Sequence, residues 1–124
     1  MSVTITFLFP KHVTQADRSF YIGDFLVPDQ DNHFFGHILD MSIRSSDDSN
    51  IPKKPSMNVI EMTQEYTVVD ANGRTCIPDQ NFYLCRAGEF RKLPSIKTSH
   101  RNNVIQTFLQ TLDPESFVVI HASW

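Results

Sequence analysis

The chain of 124 residues is 40% apolar and 20% charged, and it carries a formal net charge of −3. This composition excludes a disordered chain, and the length suits one domain that buries a core without disulfides or a structural metal. The net charge gives no global attraction to nucleic acid or anionic lipid, and no apolar run approaches the roughly 18 residues of a membrane-spanning helix. We therefore expect one globular domain over residues 1–124, located in the cytoplasm.

The first part of the chain predicts two strands. Apolar and polar residues alternate over residues 3–9, and Pro10, which cannot donate a ladder hydrogen bond, is expected to end this strand. A second apolar run over residues 20–27 predicts another strand, because polar residues precede it and Pro28 follows it.

Residues 33–44 fit two periodicities. Their apolar residues form either a strand face, made of Phe35, Leu39, Met41 and Ile43, or a helical stripe, made of Phe34, Phe35, Ile38 and Leu39. Gly36 in the middle of the segment favours a strand, which is our prediction. Residues 45–56 then combine prolines, serines and charges of both signs with little to bury, and they predict a long mobile loop.

Alternation over residues 60–68 predicts a half-exposed strand that leads into a hairpin. Asn72-Gly73 suits a type I′ turn, whose register would pair Val68 with Ile77 and Val69 with Cys76. Residues 82–86 predict the next strand, which follows a turn over residues 78–81 and which Gly88 ends.

The C-terminal part predicts a helix and a final strand. Ser99 can cap a helix that Asp113-Pro114 ends, with an apolar stripe made of Val104, Ile105, Phe108, Leu109 and Leu112. Residues 117–122 form a continuous apolar run, typical of a strand covered on both faces. The predicted fold class is α+β: a mainly antiparallel, curled sheet of five to seven strands with one helix in the C-terminal half packed on it.

One cluster combines carboxylates and imidazoles at short spacing, as metal sites and hydrolases do; its members are Asp29, Asp31, His33, His37 and Asp40. On a strand, His33 and His37 lie too far apart to chelate one ion, so we predict no metal site and no cofactor. A small hydrolase using His33 or His37, with Asp24, Asp29 or Asp40 as the orienting carboxylate, stays as an alternative.

Two features predict a binding surface. A basic stretch, opposed by the single acid Glu89, could receive an anion or an acidic peptide, or could be a solvated connection; it consists of Arg86, Arg91, Lys92, Lys97 and Arg101. The polar face of the C-terminal helix is uncharged and could contact another chain; it includes Asn103, Gln106, Thr107, Gln110 and Thr111.

These features favour a binding or regulatory protein that acts through protein–protein contacts over an enzyme. The expected partner is another protein or a second copy of the chain, while a membrane and nucleic acid are disfavoured. The alternatives are the small hydrolase and a subunit of a larger assembly of the phage or secretion type. Cys76 and Cys85 are expected to be reduced thiols, although the predicted register could place them on one face of neighbouring strands.

Overall fold

The computed structural model describes residues 3–41, 51–76, 78 and 81–123. These residues form seven strands: β1 (Thr4–Thr14), β2 (Ser19–Leu26), β3 (Ile60–Glu61), β4 (Thr67–Val69), β5 (Thr75–Cys76), β6 (Phe82–Arg86) and β7 (Phe117–Ser123). They also form a short helix α1 (Asn32–Gly36), a 3-10 helix (Ala87–Lys92) and the main helix α2 (His100–Thr111).

The seven strands make one sheet in the order β3-β6-β7-β1-β2-β4-β5. Every neighbouring pair is antiparallel except β2 and β4, which run parallel. The predicted class is confirmed: the fold is α+β, with a curled, mainly antiparallel sheet and one main helix in the C-terminal half.

The first strand continues four residues past Pro10, so its predicted end is wrong. The β1–β2 pairing changes register on both sides of this proline, because Phe9 pairs with Asp24 whereas Pro10 pairs with Ile22. Proline is tolerated at such a bulge, where the regular ladder is interrupted. Gly23 is the residue skipped in β2, and a Cβ there would lie 2.9 Å from the Cβ of Lys11.

Residues 62–66 connect β3, at one end of the sheet, with β4, near the other end, and the curl of the sheet brings these two ends close enough for this short connection. Met62 N donates to Phe82 O at 2.8 Å, and Thr67 N donates to Arg18 O at 2.7 Å. These hydrogen bonds join the start of the connection to β6 and its end to the residue before β2. The prediction of one strand over residues 60–68 is therefore wrong. Two short strands form instead, with the side chain of Met62 fully buried between them.

Each face of the sheet carries a buried apolar cluster. The helices cover one face, where Phe7, Ile120 and Phe90 belong to a large apolar cluster with Ile105 and Leu109 of α2. The other face, enclosed by the curl, holds a second cluster made of Phe20, Ile22, Met62, Val68, Leu84 and Val119. The central strand β7 contributes to both clusters, which confirms the prediction of a final strand covered on both faces.

Residues 32–36 are helical, so the strand predicted for 33–44 is wrong. Asp31 Oδ1 accepts hydrogen bonds from His33 N at 3.0 Å and Phe34 N at 3.2 Å, which caps the helix. Gly36 serves close packing, because a Cβ there would lie 2.6 Å from Pro52 Cδ. The helical stripe is buried, including Ile38 and Leu39 beyond the end of α1; residues 42–44 of the prediction lie outside the described residues.

The described part of the predicted 45–56 loop lies against α1. Ser56 N donates to His37 O at 2.8 Å, and Ile51 joins Pro52 in packing over Gly36. Residues 45–50 of that prediction lie outside the described residues.

The β4–β5 hairpin forms, but its register is shifted by one residue, since Val68 pairs with Cys76 and Val69 with Thr75. Asp70 Oδ1 accepts hydrogen bonds from Asn72 N and Arg74 N, both at 2.9 Å. This side chain stabilises a three-residue loop in which only Gly73 has a positive φ, of 80°. The predicted type I′ turn, which needs positive φ at Asn72 as well, is wrong, and its Ile77 partner lies outside the described residues.

Helix α2 begins and ends where the sequence predicts, with the Ser99 hydroxyl accepting from Asn102 N at 3.2 Å. Asn102 is completely buried, and its Oδ1 accepts from Asp29 N at 2.7 Å while its Nδ2 donates to Asp29 O at 2.9 Å. Nδ2 also donates to Thr98 Oγ1 at 3.1 Å. One amide therefore fastens the first turn of α2 to the chain between β2 and α1.

We expect Asn102→Ala to lower the free energy of unfolding by about 2–3 kcal/mol, because three partly buried polar groups would lose their partner. Urea denaturation monitored by circular dichroism measures this change. The control is Asn103→Ala on the exposed side of the same helix, for which we expect a change within about 0.5 kcal/mol. Equal effects of the two substitutions would contradict the role assigned to Asn102.

Candidate functional site

An apolar groove of about 700 Å³ lies between α2 and the β1–β2 hairpin. Its apolar lining consists of Phe9, Leu26, Val104, Ile105, Phe108 and Leu112, and its polar lining consists of Asp24, His100 and Arg101. The ring of Phe9 meets the ring of Phe108 edge-on, with centroids 5.8 Å apart. The groove wall is therefore a packed surface rather than a set of separate side chains.

Two apolar residues of α2 are exposed in this groove, although the sequence predicts them in the buried stripe. Val104 keeps 52% of its surface exposed and Phe108 keeps 43%. The cause is the rotation of α2: Gln106 Nε2 donates to Pro94 O at 3.1 Å and Gln110 Nε2 donates to Phe90 O at 3.0 Å. These bonds turn the amide side of the helix onto residues 90–94.

The uncharged face predicted for α2 is thus only partly exposed. Gln106 and Gln110 are half-buried and bind the chain's own carbonyl groups, whereas Asn103, Thr107 and Thr111 are exposed. Sequence reasoning missed Val104 and Phe108 as surface residues. The signal was present in the amides, which can donate hydrogen bonds to backbone carbonyl groups without placing a charge against the fold.

The basic residues predicted to bind an anion do not converge. The guanidinium of Arg86 lies 3.8 Å from the centroid of the Phe117 ring and donates to Glu115 O at 2.6 Å. Lys92 Nζ pairs with Glu89 Oε1 at 2.9 Å, and Arg91 Nε donates to Gln110 O at 3.4 Å. Lys97 is exposed on the connection before α2, so only Arg101 of the five predicted cations lines the groove.

The histidines of the predicted catalytic cluster meet on α1. The ring centroids of His33 and His37 lie 5.1 Å apart, and the rings meet edge to face. His37 Nδ1 is 2.8 Å from Ser56 Oγ. Sequence reasoning missed Ser56, because only the docking of residues 51–56 on α1 brings it to the imidazole.

The carboxylates of the predicted cluster are distributed over different parts of the structure. Asp31 caps α1 and accepts from Thr98 Oγ1 at 2.6 Å, and Asp29 binds Asn102 through its backbone. Asp24 lines the groove, whereas Asp40 is exposed after α1. Among the described residues, no three His, Cys, Asp or Glu side chains are placed to hold a metal ion.

Burial lowers the pKa of the His37 imidazole below its ordinary value of 6.5, and the neighbouring His33 lowers it further. The folded protein therefore favours the neutral ring, and protonation favours the unfolded chain. The stability contributed by the neutral ring is fully present above about pH 6.5 and decreases as the pH falls toward the lower folded pKa.

We expect His37→Asn to make the free energy of unfolding less dependent on pH between about pH 5 and 7.5. Asparagine keeps a polar group near Ser56 Oγ but cannot be protonated in this range. Urea denaturation at several pH values measures the slope. Because burial is the larger cause of the lowered pKa of His37, His33→Gln should reduce the pH dependence of the unfolding free energy less than His37→Asn does. An unchanged pH dependence in His37→Asn would contradict the role assigned to His37.

The two cysteines are separated, so their predicted placement on neighbouring strands is wrong. Cys76 is exposed on β5 and Cys85 is buried in β6, and these strands do not pair. Burial, with a smaller effect from Glu89, raises the pKa of the Cys85 thiol to about 12. A thiol that stays protonated near neutral pH is a poor nucleophile.

No protein-family model matches the chain, and no curated protein or solved structure is significantly similar to it. Within the described ranges, no helix is long and apolar enough to cross a membrane. The groove and the histidine pair are therefore the features from which a function can be inferred.

Proposed function

We propose that the protein is a binding module that holds a segment of another protein in the groove between α2 and the β1–β2 hairpin. The observation that supports this proposal is the pair of half-exposed apolar residues, Val104 and Phe108, on a concave apolar surface. Removing such side chains from water is favourable by roughly 25 cal/mol for each Å² of apolar surface, and the loss of freedom on binding offsets part of this gain. Contiguous exposed apolar surface marks interaction sites of this kind.

The shape of the groove favours a protein segment over a small molecule. Sites for small molecules enclose about 70–90% of the ligand surface. Here the side chains of Val104 and Phe108 remain about half exposed along one wall, so a small ligand would keep much of its surface in water. The 12 residues of α2 make this wall about 18 Å long, which suits an elongated segment.

A pair of matched substitutions tests this proposal. Random peptides displayed on phage are selected on the full-length protein, and the affinities of the selected peptides are measured by fluorescence anisotropy. We expect Val104→Asp to weaken binding at least about tenfold, because it places a charge against an apolar ligand. Ile60→Asp changes an apolar residue of similar exposure, 60%, outside the groove and should leave binding unchanged.

Circular dichroism of both variants establishes that they fold. A selection that enriches no peptide, or peptides that bind Val104→Asp and the unmodified protein equally, would contradict the proposed function.

The contact between His37 Nδ1 and Ser56 Oγ, at 2.8 Å, favours a second candidate, a hydrolase that uses Ser56 as nucleophile and His37 as base. The lowered pKa keeps His37 neutral and able to accept a proton. Hydrolysis of p-nitrophenyl acetate with a burst of nitrophenol tests it. Ser56→Ala should abolish the burst, whereas Ser95→Ala, at an exposed serine on the connection before α2, should preserve it; a burst that survives Ser56→Ala rules the candidate out.

A further inference from the structure

We infer that the segment bound in the groove is an amphipathic helix with an acidic residue at position i, apolar residues at i+3 and i+4, and a basic residue at i+7. This inference rests on the proposed function and adds the chemistry and conformation of the partner. It follows from the charges at the two ends of the groove and from the distance between them.

The positive end of the groove lies at the first turn of α2. His100 and Arg101 both line the groove there. Arg101 Nε donates to Val27 O at 2.8 Å, so the guanidinium is held over the residue that follows β2. An acidic side chain in the groove would meet a cation whose position is already fixed.

The negative end lies beside Phe108, about two turns further along α2. Asp24 lines the groove and pairs with Phe9, whose ring contacts the ring of Phe108. The Asp24 carboxylate accepts a short-range hydrogen bond from Phe25 N at 2.8 Å, and the residue is exposed. A basic side chain of the partner can therefore reach it from solvent.

Two independent paths give the same separation between these ends. Seven residues of helix separate Arg101 from Phe108, a rise of about 10 Å. Three residues of extended chain separate Asp24 from Val27, again about 10 Å. Because Val27 binds Arg101 and Asp24 pairs with the neighbour of Phe108, the backbone positions that carry the two opposite charges lie about 10 Å apart along the groove.

This spacing favours a helix over a strand as the bound segment. Residues i and i+7 of a helix lie on one face and about 10 Å apart. Residues on one face of a strand lie about 7 Å apart at i+2 or about 13 Å apart at i+4, so both match the backbone spacing of the two charged residues less closely than i+7 of a helix does. The intervening positions i+3 and i+4 of a helix share that face and would meet Val104 and Phe9.

The order of the partner's charges follows from its own dipole. An acidic residue is stabilising near a helix N-terminus and a basic residue near a C-terminus. The acidic residue belongs at the Arg101 end of the groove, so the partner helix runs in the same direction as α2.

Three synthetic helical peptides of about 15 residues test this inference. The matched peptide carries Glu at i, Leu at i+3 and i+4, and Lys at i+7; the swapped peptide exchanges Glu and Lys; the neutral peptide has Gln at both positions. We expect the matched peptide to bind the protein about two- to fivefold more tightly than the swapped one, because the swapped peptide can present the same charges by binding in the reversed direction and loses only the dipole interaction. The neutral peptide should bind more weakly than either. This preference should shrink in 1 M salt, where the screening length is about 3 Å.

A matched pair of charge reversals places the effect in the groove. Asp24→Lys should remove most of the preference for the matched peptide, because it reverses one end of the groove. Glu61→Lys makes the same change of charge on the exposed strand β3, outside the groove lining, and should preserve the preference. Circular dichroism and the binding of the neutral peptide establish that both variants remain folded.

The possible failures are distinguishable. If the three peptides bind equally and Val104→Asp weakens all of them, the groove binds protein segments but the inferred charge pattern is wrong. If the selected phage peptides bind through Val104 without becoming helical, the inferred conformation is wrong and the proposed function stands. If the chain forms a dimer that Val104→Asp dissociates and no peptide binds, the occupant is a second copy and this inference fails. If no binding depends on Val104, the proposed function itself fails.

Discussion

The hydrogen bonds between the side-chain amide of Asn102 and the backbone of Asp29 set the position of α2, and the groove depends on that position. The same amide binds Thr98, whose hydroxyl donates to the carboxylate that caps α1. Both helices therefore begin in one polar network at the end of β2. Arg101, the residue of α2 before Asn102, extends the network to Val27 and so fixes the positive end of the groove.

The elements that the sequence predicts correctly have local signals. Strands β2, β6 and β7 are apolar runs between turn residues, and α2 has a hydroxyl cap at Ser99 and an Asp-Pro pair at its end. The apolar residues of 33–44 fit the period of a strand and that of a helix equally well. The Asp31 cap and the close packing over Gly36 stabilise the helix. In the β4–β5 hairpin, the hydrogen bonds of the Asp70 side chain stabilise a turn type and a register that differ from the predicted ones.

Features that depend on distant parts of the chain were not predictable in this way. The break between β3 and β4 exists because the chain must pass between the two ends of the curled sheet, and no local pattern records that order. The groove was missed for the same reason. Periodicity correctly gave α2 an apolar stripe, but its rotation depends on Gln106 and Gln110 binding the backbone of residues 90–94, which is known only once the fold is known.

The central place of β7 has a consequence for how the chain is made. This strand joins β1, from the N-terminal part of the sequence, to β6, so the middle of the sheet is completed by residues 117–123. During synthesis, β1 and β2 can pair early as a hairpin, but the other edge of β1 and its apolar face stay open until those residues leave the ribosome. The middle of the sheet therefore closes only after residues 117–123 have been synthesised.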